Sequence, residues 1–293
     1  MTDSTSHEEK SSVKDKLDEK GVEILEKGPS FELSSEMESL EVGSSDQSLE
    51  AQSTVRKSTG DIKVTYYLRD IQPKMVNAWT KLFKNHENRV KISSGDIFRG
   101  APEADALVSP ANSFGFMDGG IDMVYTNMFG WQMQERLQKV IREDYNGENV
   151  VGNAIIIPAY SEEPNEEKIE NMKKFNLCGG RPIKFLISAP TMRVPKDVND
   201  TANAFLAFRA IIIAVQKHNR DPENQPIRSV LCPGLGTAVG KMPFDRCAFQ
   251  MLEAFEIHDL KIKDSLLNPP NLWIVTNHND FMEDYCEKSE ETT

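Results

Sequence analysis

Two glycine-rich loops hold most of the residues that could do chemistry in this chain. The first loop follows an apolar run at 106–108 and contains Asn112, Asp118 and Gly119-Gly120. It opens into a segment of helical periodicity that begins near Ile121. Backbone N–H groups at a helix N-terminus, and in glycine-rich turns, bind anions without any cationic side chain. This stretch therefore predicts an anion site built from backbone.

The second loop, residues 234–240, also lies between a predicted strand and a predicted helix. Its third glycine comes one residue too late for a dinucleotide fingerprint, and Leu235 and Met242 exclude a P-loop. Its glycines still let the backbone approach a ligand closely. Two such loops could clasp a diphosphate between them. Lys241 is the basic residue nearest in sequence, and we expect it to face solvent.

The elements that must position these loops alternate between strand and helix. About seven strands and five helices are predicted over residues 61–285, which indicates one three-layer α/β/α domain with a mostly parallel mixed sheet. The last strand is predicted at 272–275. A plain turn is the favoured interpretation of residues 277–280 after it, and a rim of the ligand pocket is the alternative. Ligands of such sheets bind beyond the carboxyl ends of the strands. The loops after Ile92, Val108 and Cys232 all leave such ends.

Charge and composition limit the classes of function. The chain carries a net charge of −12, which argues against a general nucleic-acid surface. Residues 1–60 are acidic, serine-rich and poor in aromatics, and are predicted to be a disordered segment; residues 286–293 form a predicted acidic tail. No apolar run approaches the roughly 18 residues of a membrane span, so no membrane partner is expected.

The cysteines and histidines predict no reactive centre. The 4 cysteines have neither metal-ligand spacing nor a disulfide pattern, which fits a reducing compartment, cytoplasm or nucleus. The 5 histidines pair with no cysteine or serine in a recognisable arrangement and are expected at the surface. Neither a metal nor a cofactor is predicted.

Four motifs in order along the chain resemble the macro domain family. They are Gly95-Asp96-Ile97 after a short strand, the run 106–112 ending in Ser-Pro-Ala-Asn, Gly119-Gly120-Ile121-Asp122, and the loop 233–240. The resemblance covers residues 61–285 and is greatest to a phage and bacterial type with Ser-Pro-Ala-Asn-Ser-Phe-Gly and Gly-Leu-Gly-Thr loops. It implies the macro-domain form of the α/β/α fold and binding of ADP-ribose, free, acetylated or attached to a protein.

The resemblance also implies roles for individual residues. Asp96 would accept a hydrogen bond from the adenine amino group, Ile97 would line the adenine pocket, and Asn112 would bind the distal ribose. Backbone N–H groups would face the pyrophosphate and ribose at Gly119, Gly120 and Ile121. The second loop would wrap the diphosphate, through Gly234, Gly236, Thr237, Ala238, Val239 and Gly240. Each of these polar residues also has a purely structural interpretation. Asp96 could cap a helix or turn, Asn112 and Asp118 could stabilise local turns, and Asp122 could be a first-turn charge that the helix dipole favours.

Catalysis would centre on Asp122, with Asn112 positioning the sugar. In hydrolytic members the residue at the position of Asp122 helps to orient or activate a water molecule, and we expect the negative charge of the bound substrate to raise the pKa of Asp122 toward neutrality. The chain departs from the family pattern at Ser109 and Asp118, and at Val239-Gly240, where many members have an aromatic residue. Three functions stay open: hydrolysis of ADP-ribose linked to acidic side chains or of O-acetyl-ADP-ribose, non-catalytic reading of ADP-ribosylated partners, and an NAD-dependent oxidoreductase.

Overall fold

The computed structural model describes residues 62–110 and 112–286. The predicted acidic N-terminal segment and all but the first residue of the predicted acidic tail lie outside these residues. The strands are β1 (Thr65–Asp70), β2 (Val90–Ser94), β3 (Ala106–Ser109), β4 (Ile155–Pro158), β5 (Phe185–Ser188) and β6 (Ser229–Cys232). The α-helices are α1 (Pro73–Leu82), α2 (Gly120–Phe129), α3 (Gln132–Asp144), α4 (Glu166–Lys174), α5 (Asn203–Arg220), α6 (Phe244–Ala254), α7 (Asp264–Leu267) and α8 (Leu272–Asp284). A 3-10 turn (Cys178–Gly180) follows α4, and a π-helical turn (Phe255–Asp259) extends α6.

The strands form one mixed sheet in the order β2-β1-β6-β3-β5-β4. All neighbouring pairs are parallel except β4, which runs antiparallel to β5 at the edge. The carboxyl ends of β1, β2, β3 and β6 therefore lie at one edge of the sheet, and the loops that leave them are neighbours.

Helices cover both faces of the sheet, so the predicted three-layer α/β/α architecture is confirmed. On one face Trp79 of α1 and Phe208 of α5 pack in a cluster with Ala106 and Val108 of β3. On the other face Tyr125 of α2 and Leu137 of α3 pack with Leu107, which lies between Ala106 and Val108 in β3. This alternation is the period of two that a strand buried on both faces requires. It fixes β3, and with it the start of the first loop.

The predicted last strand is wrong, because Leu272–Asp284 is a helix. Asn271 caps this helix, since its side-chain oxygen accepts a hydrogen bond of 3.2 Å from the N–H of Ile274. The apolar run at 272–275 is too short to separate strand from helix by itself, and the capping asparagine after two prolines was the decisive signal. The predicted turn at 277–280 lies inside the same helix, away from the residues that line the ligand pocket described below.

Two of the histidines that were expected at the surface are mostly buried instead. His86 Nε2 lies 2.9 Å from Glu256, and His278 Nε2 lies 2.9 Å from Glu253. These contacts join the α1–β2 connection and α8 to the end of α6. They serve the packing of this corner, which short-range sequence patterns do not reveal.

Candidate functional site

A cleft of about 520 Å³ opens at the carboxyl ends of β1, β2, β3 and β6. Its volume lies within the range of small-molecule sites, about 300–1,000 Å³. All of the site residues predicted from the sequence line this one cleft: Asp96, Ile97, Asn112, Gly119, Gly120, Ile121, Asp122, Gly234, Gly236, Thr237, Ala238, Val239 and Gly240. The structure thus brings together residues that lie up to about 140 positions apart in the sequence.

The Asp96 end of the cleft is held by Arg69, a buried residue of β1. Its guanidinium donates from Nε to the carbonyl oxygen of Asp96 at 2.7 Å, from Nη1 to Ser93 at 2.8 Å and from Nη2 to the carbonyl of Arg99 at 3.1 Å. Gly95 has a φ of +137°, and a Cβ there would lie 2.5 Å from Nη2 of Arg69. Arginine and glycine together therefore shape the turn that presents Asp96.

One oxygen of the Asp96 carboxylate is used inside this turn. Oδ1 accepts hydrogen bonds from the N–H groups of Phe98 at 2.9 Å and Arg99 at 2.7 Å. The capping role weighed in the sequence analysis is thus present. Because a carboxylate has a second oxygen with further acceptor capacity, it is compatible with a ligand contact.

Asn112 organises the first loop from within. Its Nδ2 donates to the carbonyl of Phe116 at 2.8 Å, and its Oδ1 accepts from the N–H groups of Phe114 at 3.0 Å and Phe116 at 3.3 Å. The side-chain amide therefore fixes the backbone on both sides of Phe116. This is the local turn role, made by a side chain that also lines the cleft.

Asp122 lies on the first turn of α2 at the buried side of the cleft. Only 5% of it is exposed, and its Oδ1 accepts a hydrogen bond of 2.6 Å from Oγ of Ser109, which is fully buried. Burial raises the pKa of Asp122 to about 7, while the Ser109 hydrogen bond lowers it. Desolvation of the carboxylate is therefore the cause that raises the pKa here, and the contribution expected from the negative charge of a bound substrate stays a prediction.

The start of α2 leaves backbone donors for a ligand. The N-cap is Gly119, which offers no side chain to cap the first turn, and Gly120 has a φ of +56°. The first N–H groups of a helix have no intrahelical acceptor and carry the positive end of its dipole. At this position they border the cleft beside Asp122.

The second loop is tied to the sheet and to the β5–α5 connection. The N–H of Gly234 donates to Oδ2 of Asp70 at 3.1 Å, and the N–H of Val198 donates to the carbonyl of Gly240 at 2.8 Å. A Cβ at Gly240 would lie 2.5 Å from the carbonyl oxygen of Gly236. Glycine is therefore required at 240 by the loop itself. Lys241 does not line the cleft; as expected its side chain is exposed, and it lies 3.3 Å from Asp197.

Several residues of the site were missed by the sequence analysis. Arg69 and Asp70 end β1 and directly follow the strand predicted at 62–68, and nothing in their spacing indicated a role in a site. Ser109 was noted only as a departure from the family pattern. Phe116 lines the cleft with 52% of its surface exposed. The signal in the sequence is an aromatic residue inside a loop rich in glycine and polar residues.

The charged side chains of the lining are mostly negative. They are Asp70, Asp96, Asp118, Asp122 and one cation, Arg69, whose Nε, Nη1 and Nη2 atoms all bond to the protein. An anionic ligand would therefore depend on backbone N–H groups.

Among the helices that the structure describes, none combines the length and the hydropathy of a membrane span.

One family model matches more than half of this chain. Residues 72–261 match the model of the Macro-like domain. A relative from Aquifex aeolicus (strain VF5), named only as an uncharacterized protein, is 26% identical over 179 residues, which are 61% of this chain and 87% of the relative.

Three solved macrodomain structures are similar to this chain at a lower sequence identity than the Aquifex relative. A mutant of the Oceanobacillus iheyensis macrodomain with ADPR is 18% identical with a TM-score of 0.40, covering 55% of this chain and 73% of its own. The macrodomain of Mycobacterium tuberculosis DarG is 21% identical with a TM-score of 0.40, covering 56% and 88%. The Trypanosoma brucei macrodomain in complex with ADP-ribose is 16% identical with a TM-score of 0.35, covering 54% of each chain.

Proposed function

The chain belongs to the Macro-like domain family, and we propose that its cleft binds ADP-ribose, free or attached to a protein. The observation that carries this proposal is the convergence of all of the residues predicted for ADP-ribose on one cleft. In this proposal Asp96 and Ile97 would bind the adenine, and the second loop and the start of α2 would bind the diphosphate. Asn112 and Asp122 would face the distal ribose.

We further propose that the protein hydrolyses the bond between the distal ribose and its substituent. A carboxyl with a pKa of about 7 is half ionised at neutral pH, which suits a general base. The ionised Asp122 would accept a proton from a water molecule as that water attacks the anomeric carbon, and the substituent would leave with the bonding electrons. The Ser109 hydroxyl would hold the carboxylate in place.

The alternative is a reader that binds ADP-ribose without turnover. It is favoured by the burial of Asp122, whose carboxylate already accepts a hydrogen bond from Ser109. The NAD-dependent oxidoreductase has less support, because the second loop lacks the dinucleotide spacing.

Calorimetry with ADP-ribose, NAD and AMP tests the binding proposal. We expect a micromolar dissociation constant for ADP-ribose, about −8 kcal/mol, and weaker binding of the other two ligands. Absence of ADP-ribose binding would refute the proposal. Incubation with mono-ADP-ribosylated protein and mass spectrometry then separates the two forms: release by the wild type that Asp122→Asn abolishes supports hydrolysis, and binding without release supports the reader.

A further inference from the structure

The first loop presents two side chains to the cleft on either side of a buried one. Met117 is fully buried, its N–H donates to Oε1 of Gln134 at 2.7 Å, and its carbonyl accepts from Oγ1 of Thr126 at 2.7 Å. Phe116 and Asp118 flank it, are exposed and line the cleft. Because Met117 is anchored by its side chain and both backbone groups, its two neighbours have defined positions.

Phe116 is an exposed aromatic held in a fixed backbone. The side chain of Asn112 donates a hydrogen bond to the carbonyl of Phe116 and accepts one from its N–H, so the backbone that carries the ring is held at this place in the loop. An exposed apolar ring of this kind indicates a binding surface when it lies in a cleft. Its π face can accept an apolar group or a cation.

Asp118 supplies a carboxylate with no hydrogen bond or ion pair to any residue that the structure describes. Arg69 is the cation of the cleft lining, and its Nε, Nη1 and Nη2 atoms donate hydrogen bonds at the turn that carries Asp96. Lys241 lies outside the lining. The end of the cleft beside Asn112 and Asp122 therefore combines an aromatic face with negative charge. A further anionic group at this end would meet repulsion.

We propose that this loop selects ADP-ribose whose distal ribose is attached to the guanidinium of an arginine side chain. The inference rests on the proposed binding of ADP-ribose and adds the class of linkage. A guanidinium stays positively charged after attachment, stacks on aromatic faces and donates to carboxylates. Linkages to acidic side chains (esters) or to hydroxyl side chains (acetals) are neutral. They therefore gain neither a cation–π contact with Phe116 nor an ion pair with Asp118. This differs from the acidic-side-chain linkage expected from the sequence.

The size of the preference follows from two exposed interactions. A cation–π contact and an exposed ion pair each contribute modestly, so we expect arginine-linked ADP-ribose to bind about five- to twentyfold more tightly than a neutral linkage. The ion-pair part should weaken with added salt.

Calorimetry on the full-length chain tests this with three ligands: free ADP-ribose and one peptide mono-ADP-ribosylated at either arginine or serine. Asp118→Asn and Phe116→Leu keep size while removing the charge and the aromatic face. The matched controls are Asp280→Asn on the exposed surface of α8 and Phe175→Leu, which is as exposed as Phe116 at 52% but lies outside the cleft. Where a peptide is cleaved, kcat/KM replaces the dissociation constant.

The expected result is a preference for the arginine-linked peptide in the wild type and both controls, and near-equal binding of the two peptides in Asp118→Asn and Phe116→Leu. The two control variants should bind free ADP-ribose as the wild type does. In Asp118→Asn and Phe116→Leu the preference is taken as the ratio of the two peptide dissociation constants within each variant, so that a change in affinity for ADP-ribose itself cancels. Equal binding of the two peptides by the wild type, or a preference that survives in Asp118→Asn, would overturn the linkage proposal. Failure of the wild type to bind free ADP-ribose would instead refute the proposed function.

Discussion

Oγ of Ser109 donates a hydrogen bond of 2.6 Å to Oδ1 of Asp122, and this bond joins the end of β3 to the first turn of α2. The two residues come from the two elements that enclose the first loop. The bond thus fixes the distance across which Asn112, Phe116 and Gly119 are presented. It also makes Asp122 a carboxyl whose ionisation is opposed by burial and assisted by one hydroxyl.

Asp122 should make the stability of the protein depend on pH. Its pKa of about 7 in the folded state lies above the ordinary value of 3.8, so the folded state binds this proton more tightly than the unfolded chain does. The stability that the protonated carboxyl provides is therefore fully present below pH 3.8 and is lost as the pH rises through about 7. At about 1.4 kcal/mol per pH unit, the loss reaches at most about 4 kcal/mol. Asp122→Asn keeps an acceptor for Ser109 and removes the charge. We expect this variant to be more stable than the wild type by about 1–4 kcal/mol at pH 8, with little difference near pH 4.

Urea unfolding at the two pH values measures this difference. Asp280→Asn removes the same charge from the exposed surface and should give a small, pH-independent change. A gain for Asp122→Asn that is equal at both pH values would show that Asp122 does not titrate between them.

Ser109→Ala should raise the pKa of Asp122 above about 7, because the lost hydrogen bond is the interaction that lowers it. The midpoint of a carboxyl ¹³C titration would move to higher pH. If Asp122 is the general base, the rising limb of the pH–rate profile would move with it. Ser113→Ala is the matched control, since Ser113 is also fully buried and its hydroxyl has no partner among the described residues. An unchanged midpoint in Ser109→Ala would mean that the hydroxyl does not tune Asp122.

The sequence predicted the sheet and both loops well, because β-branched runs and glycine clusters are local signals. The strand at 106–108, the helix that begins near Ile121 and the strand that ends at Cys232 are all confirmed. The predicted site residues share one cleft because parallel strands place their carboxyl ends at one edge.

The interactions that adjust the site were beyond such reasoning. Ser109 and Asp122 are 13 positions apart, and only the packing of α2 against β3 brings them together. Arg69 occupies a strand position where its alternation predicts nothing special, yet it builds the Asp96 turn. Helix α8 was missed because an apolar run of four residues fits either period until the cap at Asn271 is weighed.

Asp96→Asn should separate the turn from ligand binding. An asparagine oxygen can still accept from the N–H groups of Phe98 and Arg99, which leaves its NH₂ group where a carboxylate oxygen stood. A donor then faces the adenine amino group, so we expect ADP-ribose affinity to fall about ten- to a hundredfold, the value of a charged hydrogen bond. Calorimetry measures the loss, and an unchanged melting temperature shows that the turn survives. Wild-type affinity in a folded Asp96→Asn variant would remove Asp96 from the adenine site.

Gly240→Ala should lower the stability of the protein, whereas Gly119→Ala should weaken ligand binding with little change in stability. A Cβ at Gly240 would lie 2.5 Å from the carbonyl oxygen of Gly236 and 2.6 Å from Val198, so the loop must shift at a cost of about 1–3 kcal/mol. A Cβ at Gly119 meets no heavy atom within 4 Å, and φ there is −150°, which alanine adopts freely. Gly119→Ala should therefore unfold within about 0.5 kcal/mol of the wild type. Its methyl group would extend into the open cleft beside the first N–H groups of α2, where it should weaken ADP-ribose binding by about tenfold or more. Urea unfolding and calorimetry on both variants check the pair, and full affinity in Gly119→Ala would show that the ligand does not approach this end of the helix.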